Sequence, residues 1–207
     1  MTSRRVRQHV NPFTFRIDPP RPDWTAVFAS PGLPLEVEIG CALGGFLVAR
    51  ARTAPSVNVV GLEIRGPVVE RAARRVAEAG LRNAHVIHCH ANRSFASLFD
   101  EASVARVYVH FPDPWFKTRH QKRRLITPDL LDVLATRMRP GAELHFTTDH
   151  ADYAARARAL VEAHPAFLNV HGAGAGAPGP LLELLSDREA RQVARGLPVH
   201  RHLFARR

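Results

Sequence analysis

Cysteine is scarce in this sequence: Cys41 and Cys89 are the only two among 207 residues. So few thiols exclude a disulfide scaffold and fit a chain kept in a reducing cytosol. No apolar run approaches the roughly 18 residues of a membrane span, and the N-terminus has no signal-peptide core. A soluble, cytoplasmic protein with no membrane partner is therefore expected. Acidic residues are also few, 19 against 29 Lys and Arg, which leaves a formal charge of +10 and a pI near 11.1. That imbalance favours a phosphate-rich partner. Gly-x-Ser-x-Gly is absent, so hydrolase chemistry has no nucleophile elbow. His85, His88 and His90 alternate along one segment, and His200 and His202 along another. No Cys or carboxylate cluster accompanies them at ligand spacing, so no structural metal is expected.

With 45% apolar residues, the chain can bury the core of one ordinary domain. Residues 1–34 are proline-rich with little periodicity and read as a basic N-terminal arm, in which Arg4, Arg5 and Arg7 extend the electrostatic reach. From Leu35 to the C-terminus, short apolar strands alternate with helical segments. Strands are expected at Leu35 to Ile39, Val57 to Leu62, Ala84 to Cys89, Val104 to Phe111 and Glu143 to Thr148. Helices are expected at 46–52, Pro67 to Ala79 and Tyr153 to Ala163. A further helix starts at Thr127-Pro128, an N-cap followed by proline at the first helical position, and ends at Pro140-Gly141. The alternation implies an α/β fold, a parallel sheet covered on both faces. His171 to Pro180 is a Gly/Ala-rich loop expected to be mobile. Beyond it, 181–195 reads as helix and Pro198 to Phe204 as a closing strand.

The most informative stretch is Phe111-Pro112-Asp113-Pro114-Trp115-Phe116-Lys117-Thr118-Arg119-His120-Gln121-Lys122-Arg123-Arg124. Two prolines fix a turn that aims the Asp113 carboxylate off the end of a strand. Lys117, Arg119, Lys122, Arg123 and Arg124 follow, as a polyanionic substrate would require. At the first strand-to-helix turn, Glu38-Ile39-Gly40-Cys41-Ala42-Leu43-Gly44 lets backbone approach a ligand closely. Glu63 ends the second strand about 20 residues later, where an acid accepts both hydroxyls of a ribose. The spacing fits a dinucleotide or S-adenosylmethionine. Ala42, in place of the middle glycine of the pyrophosphate loop, disfavours the dinucleotide. Asn92 follows the third strand, where its amide could meet an adenine edge or serve a turn. Asp149 follows the fifth, where it could cap a helix or face the cleft.

Glu38-Ile39-Gly40, Gly61-Leu62-Glu63, the Pro-Asp-Pro-Trp block with Lys117 and Arg119-His120-x-Lys122-Arg123-Arg124, and Thr148-Asp149 closely resemble the tRNA (guanine-N7)-methyltransferase family. The resemblance runs from about residue 35 to the C-terminus. It implies a Rossmann-like class I methyltransferase fold, a seven-stranded, mainly parallel sheet whose last strand is antiparallel, with helices on both faces. It further implies methylation of a variable-loop guanine in tRNA, with S-adenosylmethionine as cofactor. The sequence itself requires no protein partner, and a monomer or homodimer is expected. By the same resemblance, Glu38, Gly40, Gly44, Glu63, Asn92 and Asp113 surround the cofactor, and Asp113 is catalytic. Lys117, Arg119, Lys122, Arg123, Arg124, Asp149, Ser186 and Glu189 contact the substrate, the last two as counterparts of a Thr-x-x-Glu motif of the family. Ala42 departs from the family's Gly-x-Gly-x-Gly loop and is expected to be tolerated only with φ below zero and no contact with the methionine moiety. A methyltransferase of another RNA, or a non-catalytic tRNA-binding protein with a degraded cofactor loop, are the alternatives. Retention of Glu38, Glu63, Asp113 and Asp149 together weighs against decay.

Overall fold

The computed structural model describes residues 10–207; Arg4, Arg5 and Arg7 lie outside the described residues. The strands are β1 (Leu35–Ile39), β2 (Asn58–Glu63), β3 (Ala84–His88), β4 (Val104–His110), β5 (Met138–Thr148), β6 (Phe167–Asn169) and β7 (His200–Arg206). They form one sheet in the order β3-β2-β1-β4-β5-β7-β6. β1 to β5 pair in parallel, and β7 runs antiparallel to both β5 and β6. The helices are α1 (Trp24–Val27), α2 (Gly45–Thr53), α3 (Gly66–Glu78), α4 (Ala91–Leu98), α5 (Pro128–Arg137), α6 (Ala151–Ala163) and α7 (Asp187–Ala194). The chain order reverses between β1 and β4, so a crevice opens outside the carboxyl ends of those two strands. The sheet and its antiparallel last strand are those expected from the sequence.

Alternation along the strands sorts two faces. Val37, Ile39, Val107, Val109, Leu144 and Phe146 enter the main core with Phe95 and Leu98 of α4, Leu130 and Leu134 of α5, and Val161 of α6. A smaller core joins Leu47, Val48 and Ala51 of α2 to Val59, Val76 and Ala84. Residues 10–34 do not stand away from the domain. Phe28 belongs to the main core, Trp24 stacks on Phe28 and Phe99 at 5.5 and 5.8 Å, and buried Phe15 lies edge-on to His88 at 5.3 Å.

Several boundaries differ from those expected. Helix α5 ends at Arg137 rather than at Pro140-Gly141, because Met138 already pairs with Val104 and opens β5. The exposed Arg139, Pro140 and Gly141 then bulge where the ladder shifts register before Arg106 meets Glu143. Helix α7 starts at Asp187 rather than 181, where Ser186 caps it by accepting the Glu189 N–H. The Gly/Ala-rich loop, expected to be mobile, is pinned. The Gly174 N–H donates to Glu162 at 2.8 Å, the Asn169 amide to Ala175 O at 2.9 Å, and the Ala177 N–H to Arg201 O at 2.8 Å. The seventh strand of the expected sheet, the three-residue β6, was not located by sequence pattern; it pairs with β7 alone.

The face opposite the main core carries a polar network across β1, β4 and β5. Buried Glu36 accepts two hydrogen bonds from Arg50 at 2.8 Å, one from Arg106 at 3.0 Å and one from the Tyr108 hydroxyl at 2.8 Å. Arg106 also reaches Glu143 at 2.7 Å, and His145 lies 2.9 Å from the same carboxylate. The His145 hydrogen bond, aided by the Arg106 charge, holds Glu143 at about 2, below its ordinary 4.5. A value depressed on folding contributes stability that is complete above pH 4.5 and lost as the pH falls from there toward 2. Burial likewise depresses His145 below its ordinary 6.5, so its contribution is lost as the pH falls below that value. Thermal unfolding followed from pH 7 to 3 is expected to show a falling midpoint. In Glu143→Gln the decline below pH 4.5 should be shallower than in the wild type, and parallel curves would remove Glu143 from this account.

Candidate active site

The first turn of the crevice is built from left-handed backbone. Gly40, Ala42 and Gly44 have φ of 81°, 48° and 72°. The Gly40 and Cys41 N–H groups donate to Leu62 O at 2.7 and 3.1 Å, which folds the loop back over β2. Gly44 is the N-cap of α2, and a Cβ there would stand 3.2 Å from that of Ala72. Gly61 makes room for Cys41, whose Sγ would lie 2.7 Å from an added Cβ. The expectation of negative φ at Ala42 is overturned: the turn demands the left-handed region, and the Ala42 N–H donates to Glu63 at 3.0 Å. Ala42→Gly should therefore raise stability by about 0.5–1 kcal/mol, the relief of left-handed strain less the extra freedom of glycine when unfolded. Denaturant midpoints measure this, and an unchanged midpoint would mean that the turn holds alanine without strain.

Three polar side chains converge on the strand ends around this loop. Glu38 is buried, with one oxygen 3.2 Å from His110 Nδ1 and the other without a hydrogen bond. Glu63 is also buried; it accepts from the Ala42, Ile64 and Arg65 N–H groups and from the Arg65 guanidinium at 2.9 and 3.1 Å. Asn92 donates its amide to Leu125 O at 2.9 Å and Thr127 Oγ1 at 3.2 Å, while its Oδ1 is buried and carries no hydrogen bond. Unpaired buried acceptors are costly, and two of them at one crevice fit a ligand that brings N–H donors. The thiols of Cys41 and Cys89 are pushed up by burial, Cys89 to about 12, so neither serves as a nucleophile at neutral pH.

The Asp113 turn occupies the end of β4. Phe111 and Trp115 bracket it with φ of 49° and 48°, strained values for bulky residues. The Phe111 N–H donates to Thr147 O at 2.8 Å and ties the turn to β5. Arg124, expected on the substrate backbone, is turned toward the protein. It is 8% exposed, donates through Nε to Pro114 O at 2.7 Å, and lies over the Tyr153 ring at 4.7 Å. Hydrogen bonds from Arg65 to Glu63 raise the Arg65 pKa, and the Asp113 charge adds to them, so Asp113 sits within electrostatic reach of that guanidinium. Lys117, Arg119 and Lys122 are exposed. Arg123 packs over Trp115 at 5.1 Å with its Nε buried and unpaired.

Helix α7 closes the rim. Asp149 accepts from Arg188 at 2.7 Å and from Gln192 at 2.5 Å, and these bonds hold it below its ordinary value against the cost of burial. Arg188 lies over the Phe111 ring at 5.2 Å. The Asp187 carboxylate comes so near Gly45 that it occupies the space a Cβ there would need. Ser186 and Glu189 are buried, Ser186 as the α7 cap and Glu189 paired with Arg201 at 2.6 Å. The structure thus brings Glu38, Gly40, Gly44, Glu63, Asn92 and Asp113 to one crevice. Asp149, Ser186 and Glu189 dock α7 beside it. Sequence reasoning missed Arg65, His110 and Arg188. Arg65 is signalled only by its place two residues after Glu63, and His110 by alternation with Tyr108 along β4.

Among the described residues, no group of three His, Cys, Asp or Glu could hold a metal, and no helix is long and apolar enough to cross a membrane. Residues 33–202 match a family model described as "Putative methyltransferase". The tRNA (guanine-N(7)-)-methyltransferase of Trichormus variabilis is 39% identical over 98% of this chain and 96% of its own length. That of Thermosynechococcus vestitus is 37% identical, covering 98% and 95%. Among solved structures, the aminoglycoside resistance methyltransferase NpmB1 shares the fold with a TM-score of 0.57 at 18% identity, over 89% of this chain and 91% of that one. Precorrin-6y C5,15-methyltransferase from Geobacter metallireducens does so at 0.56 and 14%, over 84% and 80%. Sheet order, switch-point crevice and acidic strand ends define a class I S-adenosylmethionine-dependent methyltransferase. Within that class, the chain belongs to the tRNA (guanine-N7-)-methyltransferase family.

Proposed function

We propose that this protein transfers a methyl group from S-adenosylmethionine to N7 of a variable-loop guanine in tRNA. The observation that carries the reading is the rigid Asp113 turn, with its exposed cations, at the mouth of a methyltransferase crevice. When bound, the cofactor supplies a methyl made electrophilic by a sulfonium sulfur. The free oxygens of Glu38 and Asn92 suit its ammonium and its adenine amine, and Glu63 suits its ribose once Arg65 gives way. Guanine N7 has a free lone pair and no proton to lose, so the chain needs to provide placement and exclusion of water rather than a strong base. Asp113 accepts from the guanine N1–H and N2–H₂ edge, which rejects adenine, and its charge stabilises the cationic product. Lys117, Arg119, Lys122 and Arg123 contact the RNA backbone, a contribution that weakens with salt. The domain spans 35–207, with 1–34 an arm whose described residues, 10–34, dock through Phe15, Trp24 and Phe28. The reaction takes place in the cytoplasm, with the chain as monomer or homodimer.

Incubation with unmodified tRNA and methyl-labelled S-adenosylmethionine, followed by nucleoside chromatography, tests this reading. Label is expected in 7-methylguanosine. Label in another nucleoside would discard the target, and no label with tRNA bound would discard the activity.

A further inference from the structure

Phe116 is the most exposed large apolar side chain among the described residues, 71% open to solvent. It stands inside the basic run, between Trp115 and Lys117. Its neighbour Trp115 is packed away, beneath Arg123 at 5.1 Å and edge-on to His120 at 5.9 Å. Left-handed backbone at Trp115, φ 48°, turns the chain between the two aromatic residues. The Phe116 ring instead meets His150 at 4.9 Å, at the end of β5 beside Asp149. It therefore lies on the rim between β4 and β5, where the Asp113 turn also sits.

A ring with this exposure adds little to the core, and the basic run it belongs to opposes an apolar protein contact. A purine gripped by its Watson–Crick edge has a different need. It must leave its stack before Asp113 can reach it, and so loses both neighbouring bases. RNA-binding proteins replace such neighbours with exposed aromatic rings set among cations. Methylation at N7 also makes the base cationic, and a cation is attracted to an aromatic face. The attraction therefore grows as the methyl transfers. Phe13, 49% exposed with Lys122 at 5.6 Å from its ring, repeats the pairing of aromatic and cation at the far end of the run.

We propose that Phe116 is the platform on which the unstacked guanine rests while Asp113 holds its edge. The inference deepens the proposed reaction and rests on it. The full-length variants Phe116→Ala, Phe116→Leu and Phe116→Trp test it through steady-state methyl transfer and equilibrium tRNA binding over a range of salt. Phe116→Ala and Phe116→Leu are expected to lower kcat/KM for tRNA about 10- to 100-fold, with Phe116→Trp within about threefold of wild type. Unfolding midpoint and S-adenosylmethionine affinity should not change in any of them. tRNA binding should weaken in Phe116→Ala with an unaltered slope of log K on log salt, because no phosphate contact is removed. Wild-type kcat/KM and binding in Phe116→Ala would overturn the proposal, as would a Phe116→Leu equal to Phe116→Trp. A wild-type protein that binds tRNA but never methylates guanine would refute the reaction instead, and the binding series would still decide whether the ring stacks on RNA.

Discussion

Replacing Asp113 with asparagine is expected to lower kcat on tRNA about 10²- to 10³-fold while leaving S-adenosylmethionine affinity within about threefold. The substitution keeps the size and shape of the side chain. It removes a charge that the product cation needs nearby, and it can turn an amide donor toward the guanine N1–H and N2–H₂ donors. Since N7 attacks without losing a proton, the loss is one of placement and electrostatics, not of a base. The pH profile of the residual activity should therefore keep the wild-type shape. The turn itself should survive. Pro112 and Pro114 fix its backbone, the Phe111 N–H holds it to Thr147 O at 2.8 Å, and Arg124 holds Pro114 O at 2.7 Å. Single-turnover rates with calorimetric cofactor titration separate the outcomes. A matching loss of cofactor affinity would move Asp113 to the cofactor side of the crevice, and an unchanged rate would end its catalytic role.

The sheet was legible because its strands are set by local pattern. Val37 and Ile39, Val60 and Leu62, and Val107 and Val109 alternate as a buried face requires. The fold rule that ligands lie beyond the carboxyl ends of such strands then located Glu38, Glu63, Asn92 and Asp113 together. What pattern could not show was set by distant partners. β6 is visible only as a neighbour of β7, and the β5 bulge only as a mismatch with β4. The five cations after Trp115 look uniform in sequence. A 3₁₀ turn over Thr118–Arg123 nonetheless leaves Lys122 exposed and delivers Arg124 to Tyr153. Asp149 was open between cap and cleft, and it is neither the α6 cap, which is His150, nor unengaged, because α7 returns to meet it. In each case, chain far away in sequence decided where a side chain went.

Glu63→Gln is expected to fail twice, once in binding and once in folding. The ribose of S-adenosylmethionine presents two hydroxyls, and a glutamine has one accepting oxygen and no charge. Cofactor affinity should fall about 10- to 100-fold, the worth of a hydrogen bond to a charged group. The same carboxylate neutralises Arg65, whose side chain is 25% exposed, and accepts the N–H of the left-handed Ala42. Leaving that guanidinium without its charge partner costs about 3 kcal/mol, the low end for a buried pair because part of it reaches water. In a domain of this size the unfolding midpoint should drop by roughly 10 °C. The double variant Glu63→Gln/Arg65→Gln separates the two effects. With no cation left unpaired, most of the lost thermal stability should return, while cofactor affinity should stay low. If the double variant also regains S-adenosylmethionine binding, then Glu63 serves only Arg65 and the ribose is held elsewhere. If both variants keep wild-type stability, then Arg65 finds another anion within reach, and Asp113, whose charge it already feels, is the one to exchange next.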